Sequence, residues 1–236
     1  SVVCHRPRHN CFLFFFGDPT SNSTDFPDKD LPKKELPHNC LSIMSMMIVK
    51  SIAAGLAGAY LETNFGPNLG TGSLGLPRLF GITPAILTGT SFWVLVHGFV
   101  VVGRSRSKYM KLAEADGEKE VEERYGLPNL YAQGTSKHVK AFNCIQRSHQ
   151  HIFETFPYLC VISLIGAVHY PITAATATLA YALGRYSMSN AYANADGDPS
   201  KRYGGRFGRF MMYGVLINMV VAGVSCASFY GGKPIL

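Results

Sequence analysis

Residues 82–103 read ITPAILTGTSFWVLVHGFVVVG, twenty-two consecutive positions without an Asp, Glu, Lys or Arg. At 1.5 Å per residue a helix of this length reaches about 33 Å, enough to cross a hydrocarbon core of about 30 Å. Residues 210–232, FMMYGVLINMVVAGVSCASFYGG, repeat the feature over twenty-three uncharged positions. Two less pure segments lie between them. Residues 141–168 are polar in their first half and apolar from Phe156 onward, and residues 170–192 carry a single charge, Arg185. The break at His169-Tyr170-Pro171 is so short that these two must form a hairpin. The expected architecture is all-α, a four-transmembrane-helix bundle over residues 82–236, with spans near 82–103, 141–168, 170–192 and 210–232.

Composition agrees. Of 236 residues, 47% are hydrophobic and only 16% charged, a shortage that excludes a disordered tail or a coiled coil. The net charge of +7 does not point to nucleic acid, because the basic residues gather in loops between apolar runs. Loop 104–140 holds eight Lys/Arg and loop 193–209 four, while the turn at 169–171 holds none and the tail only Lys233. With four spans the two basic loops share one face, which the positive-inside rule makes cytosolic. The acidic run within 112–124 reads as a solvated helical extension of the first span. Six cysteines, at 4, 11, 40, 144, 160 and 226, contain no CxxC pair, so neither a disulfide framework nor a zinc site is expected.

Residues 1–81 read as an amino-terminal extension, poorly structured at its start. Phe12–Phe16 is apolar but far too short to span. Ile48–Leu61 is a small-residue apolar run with Lys50 near its start and Ala57-Gly58-Ala59 behind. Two readings stand side by side: a signal or targeting segment, and a short membrane-embedded or interfacial helix. Gly66–Pro77 is a Gly/Pro-rich linker.

The second span carries side chains that a bilayer does not tolerate without a reason. Asn143, Arg147, His151, Glu154 and Tyr158 follow spacings of 4, 4, 3 and 4 and fall within a stripe of roughly 80°. An Arg or Glu near hydrocarbon costs several kcal/mol unless it faces protein or a wet cavity. The bland reading is that Arg147 and Glu154 neutralise each other between helices. Tyr181, Arg185, Met188 and Tyr192 form a similar row on the third span. If the rows face each other across a cytosol-side groove, they suit a small zwitterionic or anionic ligand: Arg holds carboxylates bidentately and Glu holds an ammonium.

The run Phe142-Asn143-Cys144-Ile145-Gln146-Arg147-Ser148-His149-Gln150, with Glu154 and Phe156-Pro157 after it, resembles the signature of the microsomal glutathione transferase 3 type. That type sits within the family of membrane-associated proteins in eicosanoid and glutathione metabolism. Gly184-Arg185 and Asp198-Pro199-Ser200-Lys201-Arg202 fit the same pattern, and the likeness covers about residues 82–232. It implies a homotrimer binding glutathione, as co-substrate, between neighbouring subunits near the cytosolic face, with no metal. Carried over by position, Arg147, His149, Glu154, Arg185 and Tyr192 match glutathione-binding positions. His151 stands where relatives have Asn. Arg106 falls where a relative's arginine meets a glutathione carboxylate, and Asn143 joins the set from the stripe. The thiolate-stabilising arginine falls at Lys201 or Arg202, in a loop two residues longer than usual. Met188 replaces a tyrosine, which removes a hydrogen bond worth about 0.5–1.5 kcal/mol.

The implied activity transfers glutathione to lipophilic electrophiles, or reduces lipid hydroperoxides with it, the acceptor arriving from the membrane lipids. The competing reading is a non-catalytic lipid-binding or scaffold protein of the same fold. A channel ranks last, since spans one and four offer only His97 and Asn218 as polar side chains of size. The implied compartment is the endoplasmic reticulum, with the mitochondrial outer membrane and plastid as alternatives.

Overall fold

The computed structural model describes residues 38–67, 70–72, 74–203, 205 and 207–231, with the side chains of 38–41, 202 and 203 outside the description. Apart from one isolated bridge between Thr71 and Pro77, the described residues form helices and turns only. In chain order these are α1 (His38–Phe65), α2 (Ile82–Val96), α3 (Gly103–Ala115), α4 (Val121–Tyr125), α5 (Lys137–Ala167), α6 (Pro171–Ala193) and α7 (Gly208–Gly231). A π-helical turn, His97–Val102, joins α2 to α3 without a break. The expected first span therefore continues as a helix past its apolar limit, and the acidic residues begin on its last turn. The four-helix bundle is α2–α3, α5, α6 and α7, the last three each ending within a few residues of the expected span.

Among the described residues, three stretches are long and apolar enough to cross a bilayer: Ser42–Phe65, Arg78–Ala115 and Gly208–Gly231. The last two contain the charge-free runs of the sequence. α5 and α6 are long enough, at about 46 and 35 Å, but the polar side chains they carry lower their hydropathy. The first stretch extends the run expected over 48–61 to a helix of 28 residues. By its internal contacts the chain divides into Ser1–Lys50 and Ser51–Leu236. Residues 51–81 thus group with the bundle that follows, where the sequence reading drew its boundary at 81/82.

Within the second unit, α6 and α7 approach closely. A Cβ on Gly214 would lie 2.5 Å from the Ala177 carbonyl, and one on Gly184 would strike the Met211 backbone. Glycine is required at such a crossing because it lets the two backbones touch. Along α6 the core is layered. Ala59, Ala167, Tyr170, Ala174 and Val221 pack at its start, then Leu87, Leu159, Tyr181, Met188 and Met211. A third cluster of Val102, Ala113, Val121, Tyr125, Ala132, Val139, Phe142 and Ile145 seats the basic loop on α5. Outward-facing Phe92, Phe99, Phe153, Tyr158 and Val161 are exposed, as expected of lipid-facing or subunit-facing positions.

Candidate functional site

α5 starts at Ser136, whose hydroxyl caps the helix by accepting from the Val139 N–H at 3.2 Å. From that start, Arg147, Gln150 and Glu154 follow at spacings of three and four and share one side. The Arg147 guanidinium bridges two turns to Glu154, with Nη1 at 2.5 Å from Oε1 and Nη2 at 3.3 Å from Oε2. This bidentate pair is partly open: the two side chains are 17% and 39% exposed. Gln150 accepts a hydrogen bond from the Tyr131 hydroxyl, and that hydroxyl also interacts with Arg147. A guanidinium beside a carboxylate on a partly open helix side offers both charges of a zwitterion a partner.

Arg185 does not join this pair. It is fully buried in the interior of the bundle. Its Nη1 lies 2.9 Å from His151 Nδ1 and its Nη2 donates to the Ser148 carbonyl at 2.8 Å. The sulfurs of Met211 and Met188 lie 3.5 and 3.8 Å from Nη1. A guanidinium has no acceptor, so His151 Nδ1 must accept and the ring proton sits on Nε2. The row of Tyr181, Arg185, Met188 and Tyr192 is buried throughout. It packs into the bundle, where Arg185 meets His151 of the other row. Tyr181 exchanges a 2.8 Å hydrogen bond with Thr155, and Tyr192 packs with Cys144 and Ala195.

His149 turns from the Arg147 side toward α2. Its Nδ1 lies 3.3 Å from His97 Nδ1, with the two rings stacked. His97 sits on the wide π turn, a feature that reorients side chains within a helix. Gly98 leaves the space that His149 fills, since a Cβ there would lie 2.7 Å from His149 Nε2.

Two expected ligand contacts hold the basic loop. Asn143 exchanges a double hydrogen bond with Ala132, 2.9 Å from the Ala132 N–H and 3.0 Å to its carbonyl. Arg106 donates to the carbonyls of Tyr125 and Leu130, with its guanidinium 4.7 Å above the Phe142 ring. Asp116 receives Lys137 and His138, each at 2.8 Å, and the Lys137 hydrogen bond, ahead of the His138 one, holds its carboxyl below the usual range. Lys201 lies exposed on a 3-10 turn, Pro199–Tyr203, shaped by the Asp198 carboxylate accepting from the Ser200 N–H and hydroxyl. The Arg202 side chain lies outside the described residues.

Sequence reasoning missed Tyr131 and gave no role to Gln150 or to His97. Gln150 was legible from its i+3 spacing to Arg147. Tyr131 lies in an aperiodic loop and gave no such signal. Among the described residues, no group of three or more His, Cys, Asp or Glu comes together in a way that could hold a metal.

No solved structure matches the chain. The model of the MAPEG family matches residues 83–225, more than half of the sequence. The matched stretch contains α5, α6, the Arg147–Glu154 pair and the buried Arg185. The chain belongs to the MAPEG family.

Proposed function

We propose that this protein is a glutathione-dependent integral membrane enzyme of the microsomal glutathione transferase 3 type. Membership of the MAPEG family supports a membrane role in glutathione or eicosanoid metabolism. The observation that carries the finer reading is the partly open Arg147–Glu154 pair in the polar half of α5. The glutathione γ-glutamyl end carries an ammonium and a carboxylate, the two charges this pair can each take up.

A free thiol titrates near 8.5, and the thiolate is the nucleophile. Lowering that value to about 6.5 needs about 2.7 kcal/mol of preference for the anion. Arg202, or Lys201 beside it, supplies this in our reading. In transfer, the thiolate sulfur forms a C–S bond with the electrophile as its leaving group departs. In hydroperoxide reduction, the sulfur takes the terminal oxygen as the O–O bond breaks and the lipid alcohol leaves protonated. A second glutathione then forms the disulfide and releases water.

We assign a homotrimer in the endoplasmic reticulum membrane, with glutathione between subunits. The exposed Tyr158 and Phe153 beside Glu154 leave this side of α5 open to a neighbour. The Met188 sulfur in the sealed interior favours a second reading, a non-catalytic lipid-binding or scaffold protein.

Calorimetric titration of the detergent-solubilised chain with glutathione separates the two, alongside conjugation and peroxidase assays. The enzyme reading expects binding that Arg147→Ala abolishes and turnover that Arg202→Ala lowers. A wild-type chain that binds no glutathione leaves the scaffold reading in its place.

A further inference from the structure

We propose that Tyr131 is a glutathione-binding residue, delivered to the Arg147–Glu154 pair by the folded basic loop. This rests on the glutathione reading above and adds to it a contact from outside the spans. The loop over residues 126–136 has no regular structure of its own, yet it is fastened on both sides of Tyr131. Arg106 holds the Leu130 carbonyl, and Asn143 takes both backbone groups of Ala132. Farther out, the Arg124 side chain donates to the Gln133 carbonyl at 2.8 Å, and the Gln133 N–H returns a bond to the Arg124 carbonyl at 3.1 Å. Asn129 donates to the Glu123 carbonyl at 2.7 Å.

With both neighbours held, Tyr131 reaches Gln150 and Arg147 with its phenol. The ring is half-buried, so the phenol lies at the margin of the bundle and not in its core. There it is both donor and acceptor. Its oxygen accepts from Arg147 and so orients the guanidinium, while its one proton, given to Gln150 in the free chain, turns to a carboxylate drawn into the site. On the interior row, the position where the resemblance expects a tyrosine holds Met188, whose sulfur lies against Arg185. Asn143 and Arg106 act through Tyr131, as positioning residues.

The test titrates glutathione into the full chain in detergent, as wild type, Tyr131→Phe and Asn143→Ala. Removing one hydroxyl bonded to a charged partner is expected to raise Kd about tenfold. Tyr131→Phe is expected to raise KM for glutathione equally, with kcat within about twofold of wild type and an unchanged thermal midpoint. Asn143→Ala leaves the phenol in place but releases the loop. It is expected to raise Kd in the same direction and to speed proteolytic cleavage between residues 126 and 136. A Tyr131→Phe protein that binds as the wild type does overturns the assignment, as does one whose Kd rises only in step with a lost thermal midpoint. A wild-type chain that fails to bind glutathione overturns the underlying reading as well, and that arm alone identifies it.

Discussion

Glu62 and Thr173, 111 positions apart in sequence, are joined twice: the Glu62 carboxylate accepts from the Thr173 N–H at 2.8 Å and from its hydroxyl at 2.7 Å. The same carboxylate accepts from the Ile172 N–H at 2.7 Å. α6 opens with Pro171 and has no side-chain cap from its own N-cap residue, Tyr170. Its first free amides are met instead by an anion from α1, where the helix dipole favours negative charge. Glu62→Ala is expected to destabilise the bundle by about 1–2 kcal/mol, in the range of a lost cap. Glu62→Gln, which keeps one acceptor, is expected to lose less. The thermal midpoint in detergent measures both, and an unchanged midpoint for Glu62→Ala would show that the α1 contact contributes nothing.

Arg185 gives a sharper test because it separates structure from binding. Its two terminal nitrogens face His151 and the Ser148 carbonyl, a planar fork that a lysine ammonium does not reproduce. Arg185→Lys keeps the charge and leaves one of the two acceptors empty in a dry interior. The expected cost is about 1–3 kcal/mol, read as a lower thermal midpoint. Since the side chain has no exposed surface, the folded fraction is expected to bind glutathione with wild-type affinity. A raised Kd at full folding would instead make Arg185 a ligand contact.

The helices were legible because an uncharged run of more than twenty residues has one inexpensive environment, and 82–103 and 210–232 declare it directly. The Arg147–Glu154 pair was legible too, since a spacing of seven returns to the same helix side after two turns. Spacing fixes which residues share a side but not what that side meets. The row of Tyr181, Arg185, Met188 and Tyr192 looks like a binding surface on the helix alone. It is core because Gly184 and Gly214 draw α7 tightly onto α6 and the neighbouring α5 supplies His151. Asn143 and Arg106 were named as ligand contacts, and their partners are backbone groups at the end of α4 and in the aperiodic loop after it. No side-chain pattern encodes such a contact, and the same holds for Glu62.

The seat of the basic loop on α5 carries a pH dependence. Lys137, first, and then His138 hydrogen-bond Asp116 and lower its carboxyl below the reference value of 3.8. A group lowered in the folded state contributes fully above its unfolded value and loses the contribution as pH falls through its folded one. Lys137, raised by the same Asp116 hydrogen bond above 10.5, contributes below that value and is lost as pH rises beyond it. Limited proteolysis between residues 116 and 136 is therefore expected to accelerate at both extremes, below about pH 4 and above about pH 10.5. Asp116→Asn is expected to flatten both limbs and to raise cleavage at neutral pH toward the acid value. A profile for Asp116→Asn identical to that of wild type would place the loop's anchorage elsewhere.

His97 and His149 meet through Nδ1 on each ring, 3.3 Å apart. A hydrogen bond between two such nitrogens requires one to carry a proton and the other to lack it, so the pair holds complementary tautomers. His97 is buried and comes from the π turn, while His149 comes from the signature run on α5. The contact thus locks α2 to the helix that bears Arg147. An asparagine amide lies where Nδ1 lies, whereas a glutamine amide reaches to the position of Nε2. His97→Asn is expected to hold the thermal midpoint close to wild type. His97→Gln leaves His149 Nδ1 without its partner and is expected to cost about 1–3 kcal/mol. Equal losses in the two variants would mean that His97 acts through its bulk, and the reverse order would mean that its contact runs through Nε2.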